Sequence, residues 1–276
     1  MTKQSDRARA FRDLHIPGTP LVLPNAWDAV SARLVEDAGA AAVATTSAGL
    51  VWALGVPDGE RVDRDAALAA VARIAEAVTV PVTTDIESGY AADAAGVGDT
   101  VRAVLAAGAV GVNIEDALHD AGASGPLRDV AEQAERIAAA REAADAAGVP
   151  LFVNARIDTF LSGAGGVDLT LERAAAFRAA GADGIFVPGA VDPGTVKELV
   201  GGVDGPLNVM AGPGAPPVAD LAALGVARVS VGSGIAQAAH ALVRRAAREL
   251  LERGTYGSLT DALDHGEVNA LLERTR

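Results

Sequence analysis

The sequence predicts an α/β fold, a (β/α)8 TIM barrel that is preceded by an N-terminal helix and followed by a C-terminal helical tail. Eight times between residues 20 and 253, a short run rich in β-branched residues is followed by an amphipathic segment. The runs are almost continuously apolar, which is typical of parallel strands covered on both faces. Barrels of this type contain about 250 residues. A doubly wound sheet is disfavoured because its G-x-G-x-x-G turn is missing after the first strand.

Each predicted strand ends in a polar or glycine-containing loop, and each predicted helix is rich in Ala, Leu, Arg and Glu. The strands are residues 21–24, 41–46, 80–85, 110–115, 151–156, 184–188, 207–210 and 228–231. The helices are residues 28–38, 64–78, a segment ending at 107, 128–147, 168–180, 193–200, 216–224 and 235–253. Glycines such as Gly39 and Gly108 follow the helices and are the usual signal for a helix end.

Two parts are predicted, the barrel with its N-terminal helix at residues 1–254 and a helical extension at residues 255–276. The extension is too short for a core of its own, so we expect it to dock on the barrel or on another subunit. Residues 1–14 carry mixed charge and lack the apolar segment of a signal peptide. No run approaches the roughly 18 uncharged apolar residues of a transmembrane helix. We therefore expect a cytoplasmic protein without a membrane partner.

Composition excludes several classes of function. The formal net charge of −13 and the isoelectric point near 4.7 argue against a nucleic-acid or anionic-membrane partner. A small anionic substrate is still compatible, because a local cation can reverse the field inside a pocket. The absence of cysteine excludes disulfides, thiolate metal sites and thiol nucleophiles. Lysine occurs only at Lys3 and Lys197, in the N-terminal tail and a predicted helix, so Schiff-base chemistry is not expected.

Acidic residues follow two neighbouring predicted strands. Asp85 and Glu87 are two residues apart, so they face the same side where the third strand ends. When such a D-x-E pair is considered alone, its carboxylates are more often solvated side chains of a turn. However, the fourth strand ends in Glu115 and the fifth in Arg156, and a parallel barrel gathers these ends at the rim that holds its active site. This combination predicts a magnesium site and a carboxylate substrate gripped by Arg156.

Six segments resemble the signature segments of the isocitrate lyase/phosphoenolpyruvate mutase superfamily, and they occur in that family's order. They are residues 25–33 (NAWDAVSAR), 46–50 (TSAGL), 55–58 (GVPD), 84–90 (TDIESGY), 113–116 (NIED) and 154–158 (NARID). The similarity extends from about residue 22 to residue 253. It implies a (β/α)8 barrel that uses magnesium to bind α-oxo or 2-hydroxy carboxylates. It also implies that C–C or C–P bonds are made or broken through enolate intermediates.

The resemblance implies roles for the residues that match. Asp85 would be the direct ligand of Mg2+, with Mn2+ as an alternative, and Glu87 and Glu115 would hold metal-bound waters. Asp58 would be a further acidic residue of the metal site, and Arg156 would grip the substrate. A loop would contact the substrate carboxylate and oxyanion through backbone N–H groups; it comprises Ser47, Ala48, Gly49 and Leu50. From its place at the rim, Asn208 is a further candidate for substrate binding.

The loop after the fourth strand departs from the family. Family lyases carry a catalytic cysteine there, and mutases and phosphonopyruvate hydrolases a lysine, but residues 117–127 contain neither. Pro188 also stands where mutases have a histidine. His119 could replace the cysteine as proton donor because an ordinary histidine pKa near 6.5 suits that task. Tyr90 is a second candidate, although a solvated histidine and a packed tyrosine are the simpler interpretations.

The first hypothesis is a magnesium-dependent C–C lyase, decarboxylase or hydrolase acting on a small α-oxo or 2-hydroxy carboxylate through an enolate. Three alternatives stay open: a C–P mutase or phosphonopyruvate-type hydrolase, a non-catalytic ligand-binding barrel, and an enzyme for a phosphorylated metabolite bound at Gly232–Gly234. The family further suggests a homo-oligomer, a dimer or tetramer in which helix 235–253 is exchanged between subunits.

Overall fold

The computed structural model describes residues 2–118 and 127–273, and its strands form one parallel sheet that curls into a nearly closed barrel. This confirms the predicted (β/α)8 architecture. The strands, in chain order, are β1 Leu21–Leu23, β2 Asn25–Ala26, β3 Val43–Thr45, β4 Val82–Asp85, β5 Gly111–Glu115, β6 Phe152–Arg156, β7 Gly184–Val187, β8 Leu207–Met210 and β9 Arg228–Ser230.

The sheet has nine strands because the first barrel strand is interrupted at Pro24 and continues as β2, beyond the predicted bounds of residues 21–24. β1 pairs with β9, whereas β2 pairs with β3. Proline has no N–H and cannot continue a hydrogen-bonded ladder. The side chain of Asn25 spans the gap, since its Nδ2 donates to the Thr45 carbonyl at 2.9 Å and its Oδ1 accepts from the Val231 N–H at 3.0 Å. A side-chain amide therefore closes the ring where the backbone ladder stops.

Helices surround the barrel. Seven of the eight helices predicted to follow strands lie within two residues of both predicted bounds, and α5 ends one residue before its predicted end. The helices are α1 Lys3–Asp13, α2 Ala29–Asp37, α3 Ser47–Ala53, α4 Arg64–Ala77, α5 Ala94–Ala106, α6 Val130–Ala146, α7 Val167–Ala179, α8 Pro193–Gly202, α9 Val218–Ala223, α10 Gly234–Arg253 and α11 His265–Glu273. Several begin with an acidic N-cap; Asp93, for example, accepts from the Gly96 N–H. Helix α3 differs from the sequence prediction, which placed a loop there.

Helix α1 closes the N-terminal end of the barrel. Its Phe11 is fully buried and meets the Phe152 ring edge-on, with the ring centroids 5.7 Å apart. His15, just after the helix, stacks on the same Phe152 ring at 3.9 Å. Gly111 lies beneath Phe11, because a Cβ at that position would stand only 2.8 Å from the ring. Phe152 and Gly111 begin their strands, so α1 covers the end opposite the rim where the strands finish.

The C-terminal part consists of a long exposed helix and a docked tail. Of the 20 residues of α10, only Ala236 is buried, and Leu251 is 85% exposed. A 3-10 turn at Gly257–Leu259 packs on α10. In α11 the buried Leu271 lies at α2, where its carbonyl accepts from Nε and Nη2 of Arg33 at 3.2 and 2.7 Å. None of the described helices combines the length and apolarity that crossing a membrane requires.

Candidate active site

A cavity of about 250 Å³ lies at the C-terminal end of the barrel, where the strand ends converge. Because the strands are parallel, they deliver side chains from distant parts of the sequence to this one rim. The lining residues come from strands, the following loops and the start of α3; they are Asn25, Thr45, Thr46, Ser47, Ala48, Asp58, Asp85, Asn113, Arg156, Leu161, Phe186, Met210, Ser230, Gly232 and Ser233.

Arg156, at the end of β6, is fixed by carboxylates. Its Nε and Nη2 donate to both oxygens of Asp158 at 2.7 and 2.8 Å, and its Nη1 lies 2.6 Å from Glu115 Oε2. The same Nη1 is 3.9 Å from Asp85 Oδ2. Burial alone would lower the pKa of Arg156, but the charges of Glu115, Asp158 and Asp85 outweigh it and raise the pKa. The guanidinium is therefore permanently charged and held in one orientation.

Asp85, the last residue of β4, lines the cavity with both oxygens engaged. Its Oδ2 accepts from the Ser47 hydroxyl at 3.0 Å, and its Oδ1 accepts from the Glu87 N–H at 3.1 Å. Burial raises the pKa of Asp85, while the nearby Arg156 charge opposes that shift and the Asp58 charge adds to it. The carboxylate is thus oriented towards a cavity in which a cation would be stabilised.

Glu87 is buried beside Asp85 and is held by its own loop. Its Oε2 accepts from the Glu60 N–H at 2.5 Å, and its Oε1 accepts from the Tyr90 hydroxyl at 2.9 Å. Burial, together with the Asp85 charge, raises the pKa of Glu87 to about 7. Glu87 therefore changes its charge near neutral pH in the absence of a cation.

Glu60 was missed by the sequence analysis, although it lies two residues beyond the matching segment that ends at Asp58. Its Oε1 accepts from the Ser88 N–H, the Ser88 hydroxyl and the Tyr90 N–H at 2.8, 2.9 and 3.0 Å. Glu60, Glu87 and Tyr90 all adopt positive φ angles, of 53°, 50° and 52°. Such angles are uncommon for residues other than glycine and mark local strain. The contacts among these residues hold the Asp58 loop against the loop that follows β4.

The four acidic residues predicted for the metal site lie at the same rim, but they do not surround one point at bonding distance. Asp58 and Asp85 line the cavity, whereas Glu87 and Glu115 are buried. Across residues 2–118 and 127–273, no three His, Asp or Glu side chains are grouped closely enough to hold a metal directly. Hard oxygen donors with few direct protein ligands suit Mg2+, which usually keeps several waters. The residues therefore fit a magnesium ion bound directly by one carboxylate.

The segment predicted as a substrate-binding loop is the first turn of α3. The Thr46 hydroxyl accepts from the Gly49 N–H at 3.4 Å, and the Thr46 carbonyl accepts from the Leu50 N–H at 3.0 Å. The N–H groups of Gly49 and Leu50 are consequently used inside the helix, contrary to the prediction. Ser47 and Ala48 line the cavity and precede these internal bonds.

Asn208 belongs to a layer of amides beneath the cavity rather than to its lining. Its Oδ1 accepts from Asn154 Nδ2 at 3.1 Å, and its Nδ2 donates to the Arg228 carbonyl at 3.2 Å. Asn154 Nδ2 also donates to Asn113 Oδ1 at 2.9 Å. Asn208 is 1% exposed, so its predicted contact with substrate is replaced by a structural role in the barrel interior.

Of the two predicted proton donors, the structure describes Tyr90 but not His119. The Tyr90 hydroxyl donates to Glu87, and in the described part of the chain Tyr90 does not line the cavity. Burial and the charge of Glu87 raise the pKa of Tyr90 further above its ordinary value, which makes it a poor acid. Its contacts indicate a role in orienting Glu87. His119 lies outside the described residues.

The pH dependence of stability, measured in protein freed of divalent cations, should show the titration of Glu87. Its pKa is about 7 in the folded state and near 4.5 when unfolded, so between these values the folded state binds more protons. The free energy of unfolding should therefore fall as pH rises from about 5 to about 7. Melting temperatures in EDTA should show this slope for the wild type and a smaller slope for Glu87→Gln. The exposed Glu76→Gln should keep the wild-type slope; an equal slope in Glu87→Gln would contradict the assignment.

Comparison with known proteins connects this geometry to a family. Residues 11–251 match the family model for phosphoenolpyruvate phosphomutase. An uncharacterized protein of Mycobacterium tuberculosis is 40% identical over 238 residues, which cover 84% of this chain and 87% of that protein. The 2-methylisocitrate lyase of Escherichia coli is 30% identical over 203 residues, with coverage of 72% and 68%. A phosphonopyruvate hydrolase structure in complex with oxalate and Mg2+ is 27% identical, with a TM-score of 0.83 and coverage of 96% and 94%.

Proposed function

Because the chain belongs to the isocitrate lyase/phosphoenolpyruvate mutase superfamily, we propose that it is a magnesium-dependent lyase for a small α-oxo or 2-hydroxy carboxylate. Members of the superfamily include lyases, oxaloacetate decarboxylases and phosphonopyruvate hydrolase. The observation that carries the proposal is the placement of Asp85 and Arg156 in one rim cavity, with Asp85 Oδ2 3.9 Å from Arg156 Nη1. A cation site and an anion-binding group adjoin there.

The acidic residues supply the proposed metal site. Asp85 would hold Mg2+ (or Mn2+) directly, Glu87 and Glu115 would hold its waters, and Asp58 would be a further acidic residue of the site. Bound there, the ion would supply Lewis-acid stabilisation of the negative charge that develops on the substrate oxygens. The phosphonopyruvate hydrolase complex with oxalate and Mg2+ supports this proposal by similarity.

The protein groups around the metal site would orient the substrate. Arg156 can receive a substrate oxygen without moving, because Asp158 and Glu115 already hold its guanidinium. Ser47 and Ala48, the first residues of α3, would present backbone N–H groups to the carboxylate or oxyanion. Breaking the C–C bond leaves an electron pair on the enolate, which then takes a proton at carbon. His119 is our proposed donor for that proton.

Two features favour C–C over C–P chemistry. Residues 117–127 contain no lysine, and Pro188 stands where the resemblance places a histidine in mutases. The family-model match and the phosphonopyruvate hydrolase nevertheless make C–P cleavage the second candidate. A non-catalytic barrel that binds such acids is the third, because the family's usual proton-transfer residues are missing from this loop.

The proposal is tested by a substrate panel with Mg2+ and with EDTA. Decarboxylation of oxaloacetate releases pyruvate, as does aldol-type cleavage of 2-methylisocitrate or of 4-hydroxy-2-oxo acids. Hydrolysis of phosphonopyruvate releases both pyruvate and phosphate. We expect magnesium-dependent pyruvate release from at least one C–C substrate and no phosphate from phosphonopyruvate. Phosphate release as the sole activity would instead establish C–P chemistry. Magnesium-dependent oxalate binding without any turnover would establish the binding barrel.

We also propose that the protein is a homo-oligomer in which α10 packs on another copy. The helix exposes Val243 and Leu251 by 65% and 85%, and a groove of about 480 Å³ with an apolar lining, including Leu21 and Val35, lies on the barrel. Light scattering should give the mass of a dimer or tetramer. Introducing Val243→Asp with Leu251→Asp should lower that mass to one chain, while Leu54→Asp, at an exposed site on the barrel, should not. A wild-type monomer would refute the assembly.

A further inference from the structure

The cavity contains few charged side chains and a substantial apolar surface. Asp58, Asp85 and Arg156 carry its charges, whereas Leu161, Phe186 and Met210 are large and apolar. The Arg156 guanidinium carbon lies 5.9 Å from the centroid of the Phe186 ring. Apolar surface therefore begins directly beside the group that would bind a substrate anion.

Positive charge at the cavity surface is limited, and a second guanidinium, that of Arg228, is buried beneath it, where its Nη2 donates to Asn113 Oδ1 at 3.2 Å. In the described ranges, Arg156 is the one Lys or Arg side chain that lines the cavity, and residues 119–126 contain neither Lys nor Arg. Arg156 already contacts Asp158 and Glu115 at 2.6 to 2.8 Å, so much of its charge is neutralised. A substrate with several carboxylates would bring further negative charges towards Asp58 and Asp85. Without cationic partners, additional carboxylates held this close to Asp58 and Asp85 are repelled and lose part of their hydration.

The size of the cavity also favours a short substrate with a single anionic end. Its volume of about 250 Å³ is below the roughly 300–1,000 Å³ that is usual for ligand pockets. A short substrate with one anionic end can use the proposed metal site and Arg156 for that end. Its other end would then meet Leu161, Phe186 and Met210, which favour an uncharged group.

Building on the proposed function, we infer that the substrate is a monocarboxylate whose carboxyl group adjoins the oxo or hydroxyl carbon and whose distal end is uncharged. A 4-hydroxy-2-oxo acid with an alkyl end illustrates the chemistry. Its C4 hydroxyl loses a proton to water, the C3–C4 bond breaks, and the electron pair of that bond forms the enolate of pyruvate. An aldehyde leaves, and the enolate takes a proton at C3 to give pyruvate, so no other reactant is consumed.

Two matched pairs of compounds test this inference with the full-length protein and Mg2+. In each pair a distal methyl group replaces a distal carboxylate: 2-oxopentanoate with 2-oxoglutarate for binding, and 4-hydroxy-2-oxopentanoate with 4-hydroxy-2-oxoglutarate for turnover. We expect the member with the uncharged distal end to bind at least about tenfold more tightly by calorimetry and to have the higher kcat/KM in the turnover assay. Equal or reversed affinities would overturn the inference, as would the absence of binding by both oxo acids.

A second test of the inference changes the charge of a side chain that lines the cavity. Leu161 is 52% exposed, so replacing it should not disturb the core. Leu161→Arg adds a cation and should improve 2-oxoglutarate binding about tenfold, whereas Leu161→Gln changes polarity without charge and should not. No gain with Leu161→Arg would count against the charge argument. A retained preference for 2-oxopentanoate without any turnover would refute the lyase proposal but support the ligand class.

Discussion

Replacing Asp85 by asparagine is expected to lower magnesium-dependent kcat/KM by about 10²–10³-fold or more while the barrel stays folded. Asparagine has nearly the same shape and can still accept from the Glu87 N–H, but it cannot supply a carboxylate to a divalent cation. Removing this buried negative charge from its position near Asp58 and Glu87 also relieves repulsion. The melting temperature in EDTA should therefore be unchanged or slightly higher. Kinetics and thermal unfolding of the same preparation check both outcomes.

Asp183 offers a matched control at the opposite end of the barrel. Its Oδ1 lies 2.5 Å from Arg12 Nη1, and its Oδ2 pairs with Arg141 and accepts from the Val153 N–H at 2.8 Å. Asp183→Asn should lower the melting temperature and leave kcat/KM close to wild type, the reverse of the Asp85 variant. Substantial magnesium-dependent turnover in Asp85→Asn would exclude Asp85 as the essential ligand.

Replacing Arg156 should reduce both activity and stability. Arg156→Gln removes the positive charge that contacts Asp158, Glu115 and Asp85. Breaking a buried ion pair by removing one partner costs about 3–5 kcal/mol. We expect a loss of that order in the free energy of unfolding, measured by urea denaturation near neutral pH, together with a fall in kcat/KM of about a hundredfold or more.

Arg156→Lys separates charge from shape. A lysine ammonium cannot reproduce the planar guanidinium, which contacts both oxygens of Asp158 through Nε and Nη2 while Nη1 reaches Glu115. This variant should recover part of the stability but little of the activity. Full activity with lysine would show that only the charge matters and that the fixed orientation of Arg156 is not used.

The barrel could be predicted because its strands and helices carry strong local patterns. The site could be predicted in part because the ends of parallel strands meet, which brings Asp85, Glu115 and Arg156 together without any knowledge of side-chain directions. Asn208 shows the limit of that argument. Asn208 is the second residue of β8 rather than its last, so its amide contacts Asn154 beneath the cavity rather than the cavity itself.

Helix α3 and the Glu60 contacts depend on tertiary structure. A seven-residue helix is unstable alone, and α3 contains Gly49, which weakens it further. Gly49 is nevertheless required by packing, since a Cβ there would lie 2.7 Å from Thr46 Cγ2 and 3.0 Å from Trp27 Cβ. The positive φ angles of Glu60 and Tyr90 arise from contacts between two loops that are distant in sequence, so no local pattern indicates them.

The interruption of the first strand at Pro24 has a consequence for redesigning the cavity. Asn25 lines the cavity, but its amide also joins β3 to the residue after β9. Shortening this side chain to enlarge the cavity would remove both hydrogen bonds and loosen the ring where the backbone ladder stops. Variants intended to accept bulkier compounds should therefore begin at Leu161 or Met210, and position 25 should be left unchanged in such libraries.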